Sequence, residues 1–426
     1  MIKSSFFSLT KPGLAYPALK LDREDVVEIP LPAKAQLFLK GSSAGSNGRG
    51  IRVGDKVKTG QRLMVSGDSD EYLISPVTGS ISSISPLTGY LGQTLTVVAF
   101  DVEKTDVWDD EFGASKAMSP SQRVRGFLSS LPGQEGFSSL LEFLPLEALV
   151  IYGIDKDFLV STGRCVVQTR LEEIKQGIEV LKKLFGQCRM VLLVPSGLGL
   201  QAERTGVEVR ALSPAYPELL PKAIMNRVFG KAVPAGSRCE EMGVGFLSAE
   251  AVAGLGSAFQ SGRIPVHKTL TVIKKDGSSV NVRARIGTPV QEILDALHIE
   301  TGTGDGLIFG GPMTGRSVYS GQTPVLADTD AVMIQDARDE PLFSDTHCVN
   351  CGECVRVCPA SMPVNMLIRV LENKMYEEAV QAYDLLSCIE CGLCSFVCIA
   401  QIPIFHYIML GKYEYERMIK AEGSNA

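Results

Sequence analysis

The sequence predicts a multidomain protein in which β modules and a parallel α/β domain precede a small, helical C-terminal domain. Three patterns support this fold class. Apolar and polar residues alternate between closely spaced glycines at 50–84, apolar runs alternate with amphipathic segments at 148–261, and eight of the eleven cysteines lie in two short runs after residue 347. The length of 426 residues suits such a chain, because domains average roughly 150 residues.

The composition indicates a globular protein and argues against two classes of partner. Apolar residues make up 45% of the chain and charged residues 21%, values typical of a soluble fold. The net charge of −6 argues against a nucleic-acid-binding surface. The N-terminus lacks the apolar stretch of a signal peptide, and the longest apolar runs are too short to span a bilayer. We therefore expect a cytoplasmic chain that contacts a membrane only through protein partners.

Residues 1–115 are predicted to form a barrel-sandwich domain. Short apolar runs are separated by turns at Gly54 and Gly60, as expected for strands joined by tight turns. The segments "VGDKVKTGQ" and "SPVTGSI" resemble biotinyl and lipoyl carrier domains. Those carriers present an acceptor lysine at a hairpin tip, but this chain has no lysine between Val65 and Thr78. We therefore predict a structural barrel rather than a carrier.

Residues 116–263 are predicted to form a parallel α/β domain. "ALVIYGI" and "RMVLLVP" are continuously apolar, as in strands that are buried on both faces of a parallel sheet. Helical patterns lie between and after them, in "LEEIKQGIEVLKKLFG", "ELLPKAIMNRVFG" and "SAEAVAGLGSAFQSG". "PSGLGL" has too few glycines for a dinucleotide-binding loop, so we interpret it as a plain turn.

Residues 264–338 are predicted to form a β-grasp domain. Two apolar strands flank a turn at Asp276–Gly277, and the helix "TPVQEILDAL" follows, with Thr288 as its expected cap. "FGGPMTG" comes after the short strand "GLIF" and is expected to form a tight turn with exposed backbone. A hairpin combined with a single helix favours the β-grasp fold.

The eight clustered cysteines indicate the chemistry of the chain. Each run has the spacing C-x2-C-x2-C-x3-C of bacterial two-cluster ferredoxins, in which three cysteines of one run hold a [4Fe-4S] cube and the fourth binds the other cube. This rule assigns one cube to Cys348, Cys351, Cys354 and Cys398, and the other to Cys388, Cys391, Cys394 and Cys358. Gly352 and Gly392 follow the second ligand of each run, where the backbone must approach a cluster closely.

Zinc is the competing interpretation, because paired C-x2-C motifs also supply sites of four thiolates. The third and fourth cysteines of each run, and Pro359 after the first run, favour clusters. Ile399 replaces that proline in the second run without affecting ligation. The remaining cysteines, Cys165, Cys188 and Cys239, are predicted to be buried packing residues.

Residues 339–426 are predicted to form an α-helical ferredoxin domain, because apolar residues recur with helical spacing between the two runs. The predicted apolar face consists of Val364, Leu367, Ile368, Leu371, Met375, Ala379 and Ala382. A closing helix is expected from about Ile404 to Lys420. Two adjacent cubes would carry single electrons between a donor and an acceptor.

The order of modules resembles the C subunit of the Rnf ion-translocating electron-transport complex. The resemblance covers nearly the whole chain and is most specific in "GGPMTG", close to that family's GGPMMG, and in "RIGTPVQEIL", "VGDKVKTGQ" and "CIECGLCSFVC". It implies a peripheral subunit on the cytoplasmic side of the cell membrane, bound to integral-membrane subunits. The complex would exchange electrons between ferredoxin and NAD(H), coupled to sodium or proton transport. The α/β domain would then resemble the flavin- and NADH-binding subunit of respiratory complex I.

The chain departs from this family where a flavin or nicotinamide would bind. The family's GGAGFPT appears as "LPGQEGFSSLL", which keeps Gly133, Gly136 and Phe137 but adds Glu135, whose charge opposes a phosphate. The family's NGAECEPY appears as "YGIDKDFL", with Lys156 between two aspartates. These departures argue against FMN and against NADH oxidation by the chain itself, so no catalytic or nucleotide-binding residue is assigned.

Two alternatives to the usual role of this family remain open. A flavin-free relay or scaffold would pass electrons from a docked cytochrome or another subunit into the membrane. A cobalamin reductase of related architecture would share the modules but reduce a corrinoid. Bound flavin would argue against the relay, and neighbouring genes for integral-membrane subunits would argue against the reductase.

Overall fold

The computed structural model describes residues 14–15, 26–40, 50–65, 71–213, 215–339, 343 and 346–425. Within these residues, five sheets and thirteen α-helices follow one another in four modules. None of the helices in these ranges has both the length and the apolar character needed to cross a bilayer.

The N-terminal module is built from antiparallel strands. The elements of this part of the chain are β1 (Leu14–Ala15), β2 (Val27–Glu28), β3 (Lys34–Lys40), β4 (Lys56–Val57), β5 (Arg62–Met64), β6 (Tyr72–Ile74), β7 (Gly79–Thr88), β8 (Thr94–Val102) and α1 (Glu111–Ala114). Strands β3, β8, β7 and β4 form one sheet in that order, and β5 pairs with β6. Ala35, Leu37 and Leu39 of β3 are buried, so alternate side chains fill the core.

The first two strands do not belong to the sheet of this N-terminal module. Strand β1 pairs antiparallel with Ala215–Tyr216, and β2 pairs in parallel with Val282–Arg283. Each has two residues, which is too short to carry an alternating pattern that sequence analysis could detect. Leu14–Ala15 and Val27–Glu28 therefore pair with strands of the later modules.

The second module contains the parallel sheet predicted from the sequence. Its elements are α2 (Pro120–Phe127), β9 (Ala148–Tyr152), α3 (Thr162–Thr169), α4 (Leu171–Phe185), β10 (Arg189–Pro195), α5 (Gly199–Ala202), β11 (Glu208–Leu212), β12 (Ala215–Tyr216), α6 (Pro221–Phe229), β13 (Val244–Ser248) and α7 (Ala249–Ser261). The sheet has the order β11-β10-β9-β13 with parallel pairing throughout, and β9 is buried along its whole length. The residues of β9 alternate between the two faces of the sheet. Leu149 and Ile151 pack with α4 and α7, whereas the other three residues of the strand pack with α6. "PSGLGL" is not only a turn, because its end continues into α5.

The third module is a mixed sheet covered by one helix. Its elements are β14 (His267–Ile273), β15 (Ser279–Arg285), α8 (Val290–Ala296), β16 (Gly306–Phe309), β17 (Arg316–Val318) and β18 (Ala331–Gln335). The sheet order is β17-β16-β18-β14-β15-β2, and the predicted hairpin between β14 and β15 is confirmed. The predicted cap is wrong: the buried hydroxyl of Thr288 has no hydrogen-bond partner among the described residues. Pro289 lies between Thr288 and the helix in an extended conformation, which keeps the hydroxyl away from the helix amides.

The C-terminal module is helical. Its elements are α9 (Glu353–Val357), α10 (Val364–Glu372), α11 (Tyr376–Gln381), α12 (Leu393–Phe396) and α13 (Ile404–Asn425). The apolar residues predicted on α10 are buried, but Met375 and Ala382 are exposed, in contrast to the prediction. Lys374 has a left-handed backbone, with a φ of 57°, which ends α10 and changes the direction of the following helix. The closing helix begins at Ile404 as predicted and extends beyond Lys420.

Two glycines allow α4 and α7 to pack closely. A Cβ on Gly177 would lie 1.9 Å from the carbonyl oxygen of Val252, and a Cβ on Gly256 would lie 2.2 Å from that of Glu173. Real Cβ atoms do not approach oxygen at such distances, so any side chain here must push the helices apart.

Replacing Gly177 by alanine should therefore lower the free energy of unfolding by about 1–3 kcal/mol. Gly126→Ala in α2 is the matched control, since the atom nearest to a Cβ there is the far end of Arg62 at 3.9 Å. That change should be neutral or stabilising by up to about 1 kcal/mol, because alanine favours helices. Denaturant titration of both variants measures the difference, and equal losses of stability would contradict the packing argument.

Candidate functional site

The two cysteine runs have the same backbone conformation. Asn350 and Glu390, each just before the second cysteine of its run, have φ angles of 56° and 61°. Gly352 and Gly392, just after that cysteine, have φ angles of 79° and 69°. Helices α9 and α12 begin at the next residue. Left-handed residues in tight loops of this kind form concave backbone surfaces that bind anionic groups, including iron–sulfur clusters.

The first group of cysteines combines residues from both runs. Burial, followed by the charges of Cys348, Cys351 and Cys398, raises the pKa of Cys354 to about 11. These three thiols are thus the electrostatic neighbours of Cys354, and Cys398 reaches the group from the second run. Cys354 is buried, whereas Cys351 is exposed to solvent. The spacing rule assigns these same four cysteines to the first cube, and that ligation stays a prediction.

The second group lines one small cavity. Cys388, Cys391 and Cys394 of the second run surround it together with Cys358 of the first run. Burial raises the pKa of Cys391 to about 12 and the pKa of Cys394 well above its ordinary value, and the neighbouring thiols add to both shifts. Buried thiols resist the loss of their protons, so ligation here needs the compensating positive charge that iron ions would supply.

In the part of the chain that the structure describes, no three His, Cys, Asp or Glu side chains are arranged to hold a single ion. By number and type, the eight cysteines fit iron–sulfur clusters of the [4Fe-4S] kind.

The three remaining cysteines lie elsewhere in the chain. Cys165 and Cys239 are buried as predicted, whereas Cys188, which follows α4, is only partly buried. Burial raises the pKa of both Cys188 and Cys239 to about 11, so neither thiol is a reactive thiolate at neutral pH.

The second group lies against the body of the chain. The Tyr216 hydroxyl donates a hydrogen bond to the carbonyl oxygen of Cys391. Tyr216 and Leu220 also pack in one apolar cluster with Cys391, and Met313 lies against that cluster. A Cβ on Gly392 would lie 2.4 Å from the Met313 carbonyl oxygen. Residues of the second, third and C-terminal modules therefore meet at this group, a contact that no local sequence pattern indicates.

The turn that carries Met313 is held in place by Asp157. The Asp157 carboxylate accepts hydrogen bonds from the Met313 amide at 3.2 Å, the Thr314 amide at 3.0 Å and the Thr314 hydroxyl at 2.9 Å. A Cβ on Gly311 would lie 2.5 Å from the Asp157 Cγ, so only glycine fits against this side chain. Burial raises the pKa of Asp157, and the hydrogen bonds oppose that shift. The backbone of "FGGPMTG" that the sequence predicts to be exposed is thus bound by the protein itself.

The loop at 131–137 corresponds to the glycine-rich loop of the family that the sequence resembles. Other residues of the chain pack against this loop and form hydrogen bonds with its backbone. The Gly133 amide donates to the Ala327 carbonyl oxygen at 2.6 Å, and a Cβ on Gly133 would lie 2.4 Å from the Ser248 Oγ. Leu131 and Gln134 close the turn through reciprocal backbone hydrogen bonds of 2.9 and 2.8 Å. The open backbone of Gly133 therefore serves packing within the protein.

Glu135 and Gly136 face a groove between the first three modules. The groove has a volume of about 470 Å³, and its lining is mainly apolar, with Glu71, Glu135 and Arg125 as charged residues. Two carboxylates against one guanidinium make this an unfavourable surface for a phosphate group. Arg125 is the one basic residue among the described residues that line this groove.

Comparison with known proteins agrees with the cysteine chemistry. Residues 340–399 match the family model of the 4Fe-4S dicluster domain. The chain is 25% identical over 400 residues to the C subunit of the ion-translocating oxidoreductase complex of Pectobacterium carotovorum subsp. carotovorum, a match that covers 86% of this chain and 52% of that protein. The corresponding C subunits of Pseudomonas aeruginosa (26% identity; 82% and 48% covered) and Buchnera aphidicola (22% identity; 84% and 79% covered) are also similar. The chain spans about half the length of the first two of these curated relatives.

Solved structures of an NAD+-reducing [NiFe]-hydrogenase are also similar to the chain. The H2-reduced state gives a TM-score of 0.47 at 16% identity, covering 71% of this chain and 64% of that chain. The air-oxidized state gives a TM-score of 0.43 at 13% identity, covering 65% and 57%. The curated relatives confirm the resemblance that the motifs predict: over most of its length, the chain is similar to the C subunits of ion-translocating oxidoreductase complexes.

Proposed function

We propose that the chain is the iron–sulfur electron-transfer subunit of a membrane-bound, ion-translocating oxidoreductase complex of the Rnf type. The observation that carries the proposal is the crossing of two cysteine runs into two groups of four thiols, one reaching the surface and one buried against the body. The similarity to the C subunits of such complexes supports the assembly to which it belongs. In this role the chain passes electrons between a redox partner, such as ferredoxin, NAD(H) or a cytochrome, and the membrane subunits.

Each group of cysteines holds one [4Fe-4S] cube in this proposal. The ligand sets are Cys348, Cys351, Cys354 and Cys398 for the first centre, and Cys388, Cys391, Cys394 and Cys358 for the second. When bound, each cube supplies the capacity to accept and release one electron. Helix α9 carries Cys354, which would bind the first cube, and leads into Cys358, which would bind the second, so about one turn of helix separates these two ligands.

The loop at 131–137 supports an electron relay that has no bound flavin. The Gly133 amide donates a hydrogen bond to the Ala327 carbonyl oxygen, and Glu135 places a negative charge beside the groove. A hydride carries two electrons, whereas each cube accepts one, so a flavin or another subunit must divide the pair before the chain can use it. We place the hydride chemistry in another subunit and the chain at the cytoplasmic face of the membrane, attached through its protein partners.

The crossed ligation can be tested by pairs of single alanine variants, since alanine cannot bind iron. Cys358→Ala and Cys391→Ala should leave the same residual electron paramagnetic resonance spectrum after dithionite reduction, that of the first centre. Cys398→Ala and Cys351→Ala should both leave the spectrum of the second centre. Cys239→Ala is the control and should retain all the iron. If Cys358→Ala instead leaves the same spectrum as Cys351→Ala, the assignment of the fourth ligands is wrong.

The absence of a flavin role can be tested on the anaerobically purified chain. It should contain about eight irons and eight acid-labile sulfides, as expected for two cubes. We expect both cubes to be reducible by dithionite or by reduced ferredoxin, while NADH oxidation with an artificial acceptor stays near the background rate. Stoichiometric flavin together with rapid NADH oxidation would refute the relay and would favour a flavin-bearing catalyst.

A further inference from the structure

The closing helix α13 places a lysine against the start of the second cysteine run. The Lys412 ammonium donates a hydrogen bond to the carbonyl oxygen of Cys388 at 2.9 Å. The same ammonium forms an ion pair with the Glu390 carboxylate, in which Nζ and Oε1 are 2.7 Å apart. The Lys412 side chain is only 16% exposed. A positive charge is thus held, largely out of water, against the first cysteine of this run.

The same lysine holds the backbone that contacts the Cys388 sulfur. The Glu390 amide donates a hydrogen bond to the Cys388 Sγ at 3.3 Å. Lys412 binds the carbonyl of Cys388 and the side chain of Glu390, so one ammonium fixes both ends of the segment 388–390. Hydrogen bonds to a thiolate and nearby positive charge both favour negative charge on the sulfur.

The equivalent position of the first run has no charge. Asn350 corresponds to Glu390, and its Oδ1 accepts a hydrogen bond from the Asn365 Nδ2 at 2.8 Å, so two neutral amides take the place of the ion pair. An ion pair does occur in the first run, between Glu353 and Arg356, but both side chains belong to one turn of α9. The two runs therefore repeat their cysteines without repeating the charges around them.

A second lysine, from the α/β module, faces the same site. Lys222 lies in the first turn of α6. Burial lowers the pKa of Lys222, and the charge of Lys412 lowers it further. The charges of Glu390, Cys239 and Cys388 oppose that shift, so these groups are the electrostatic neighbours of the lysine. Lysines of two modules thus lie near the start of the second run.

We propose that Lys412 is a positioning residue that raises the reduction potential of the second centre. The inference rests on the proposed function, because it requires a cube bound to Cys388. Reduction adds one negative charge to a cube, and a positive charge beside a ligand favours that form. The carboxylate of Glu390 has the opposite effect, but its side chain is 46% exposed against 16% for Lys412. Water therefore screens the acidic partner more than the lysine, and the positive charge dominates.

The test is a redox titration of the full chain, followed by electron paramagnetic resonance. The second centre is the one whose spectrum remains in Cys351→Ala. Lys412→Met keeps the apolar stem but removes the charge, and it should make reduction of the second centre about tenfold less favourable. For one electron, this corresponds to a potential lower by about 59 mV. Lys412→Arg restores the charge and should reverse most of this shift.

Two further variants separate a local effect of charge from a general one. Lys420→Met is the matched control: Lys420 lies on the same helix about 12 Å further along, and it pairs with Glu416 at the surface. Its replacement removes one charge of the same sign and should leave both potentials unchanged. Glu390→Gln removes the acidic partner and should make reduction of the second centre about threefold more favourable.

The inference is overturned if Lys412→Met leaves the potential of the second centre unchanged, shifts both centres equally, shifts only the first centre, or shifts no more than Lys420→Met. If Lys412→Met loses the second centre, Glu390→Gln decides alone: a higher potential supports the inference, and an unchanged or lower one overturns it. Failure of the proposed function would differ, because the parent chain itself would then lack iron or reducible centres.

Discussion

The position of the second group of cysteines depends on one close contact between two stretches of backbone. Gly392 lies against the carbonyl oxygen of Met313 with no room for a side chain. Asp157 holds the turn of Met313 by accepting hydrogen bonds from two amides and a hydroxyl, and Tyr216 donates to the cysteine next to Gly392. Because three modules meet here, a displacement of any of them would move the loop that carries Cys388, Cys391 and Cys394.

Asp157 and Gly133 lie in the two segments where the sequence departs from the expected nucleotide-binding pattern, and both have structural roles in this chain. Asp157 comes from the acidic segment after β9, yet its carboxylate is engaged with the turn at 310–315. Gly133 comes from the segment that corresponds to the glycine-rich loop. Ser248 occupies the space where a side chain on Gly133 would lie, and the Gly133 amide donates a hydrogen bond to the Ala327 carbonyl oxygen. The neighbours of Asp157 and Gly133 in the folded chain therefore determine what these residues do.

Local patterns predict much of the fold, and long-range contacts explain what they miss. The apolar runs of β9 and β10 and the periodicity of α4 are local, so these elements follow from the sequence. The two short cysteine segments of fixed spacing also predict iron–sulfur chemistry, and residues 340–399 match the 4Fe-4S dicluster domain. The contact of Tyr216 with Cys391 joins residues far apart in the chain, and no periodicity encodes it. The error at Met375 is different, because a left-handed Lys374 overrides a helical pattern that is otherwise continuous.

The repeat in the C-terminal module places two groups of cysteines of equal composition in unequal surroundings. Burial raises the pKa of Cys391 to about 12 and that of Cys354 to about 11, because negative charge is poorly solvated at both sites. Apolar residues of the body cover the loop of the second group, whereas Cys351 of the first group is exposed to solvent. The docking of one loop and the exposure of the other therefore distinguish two groups that their residue types alone would leave alike.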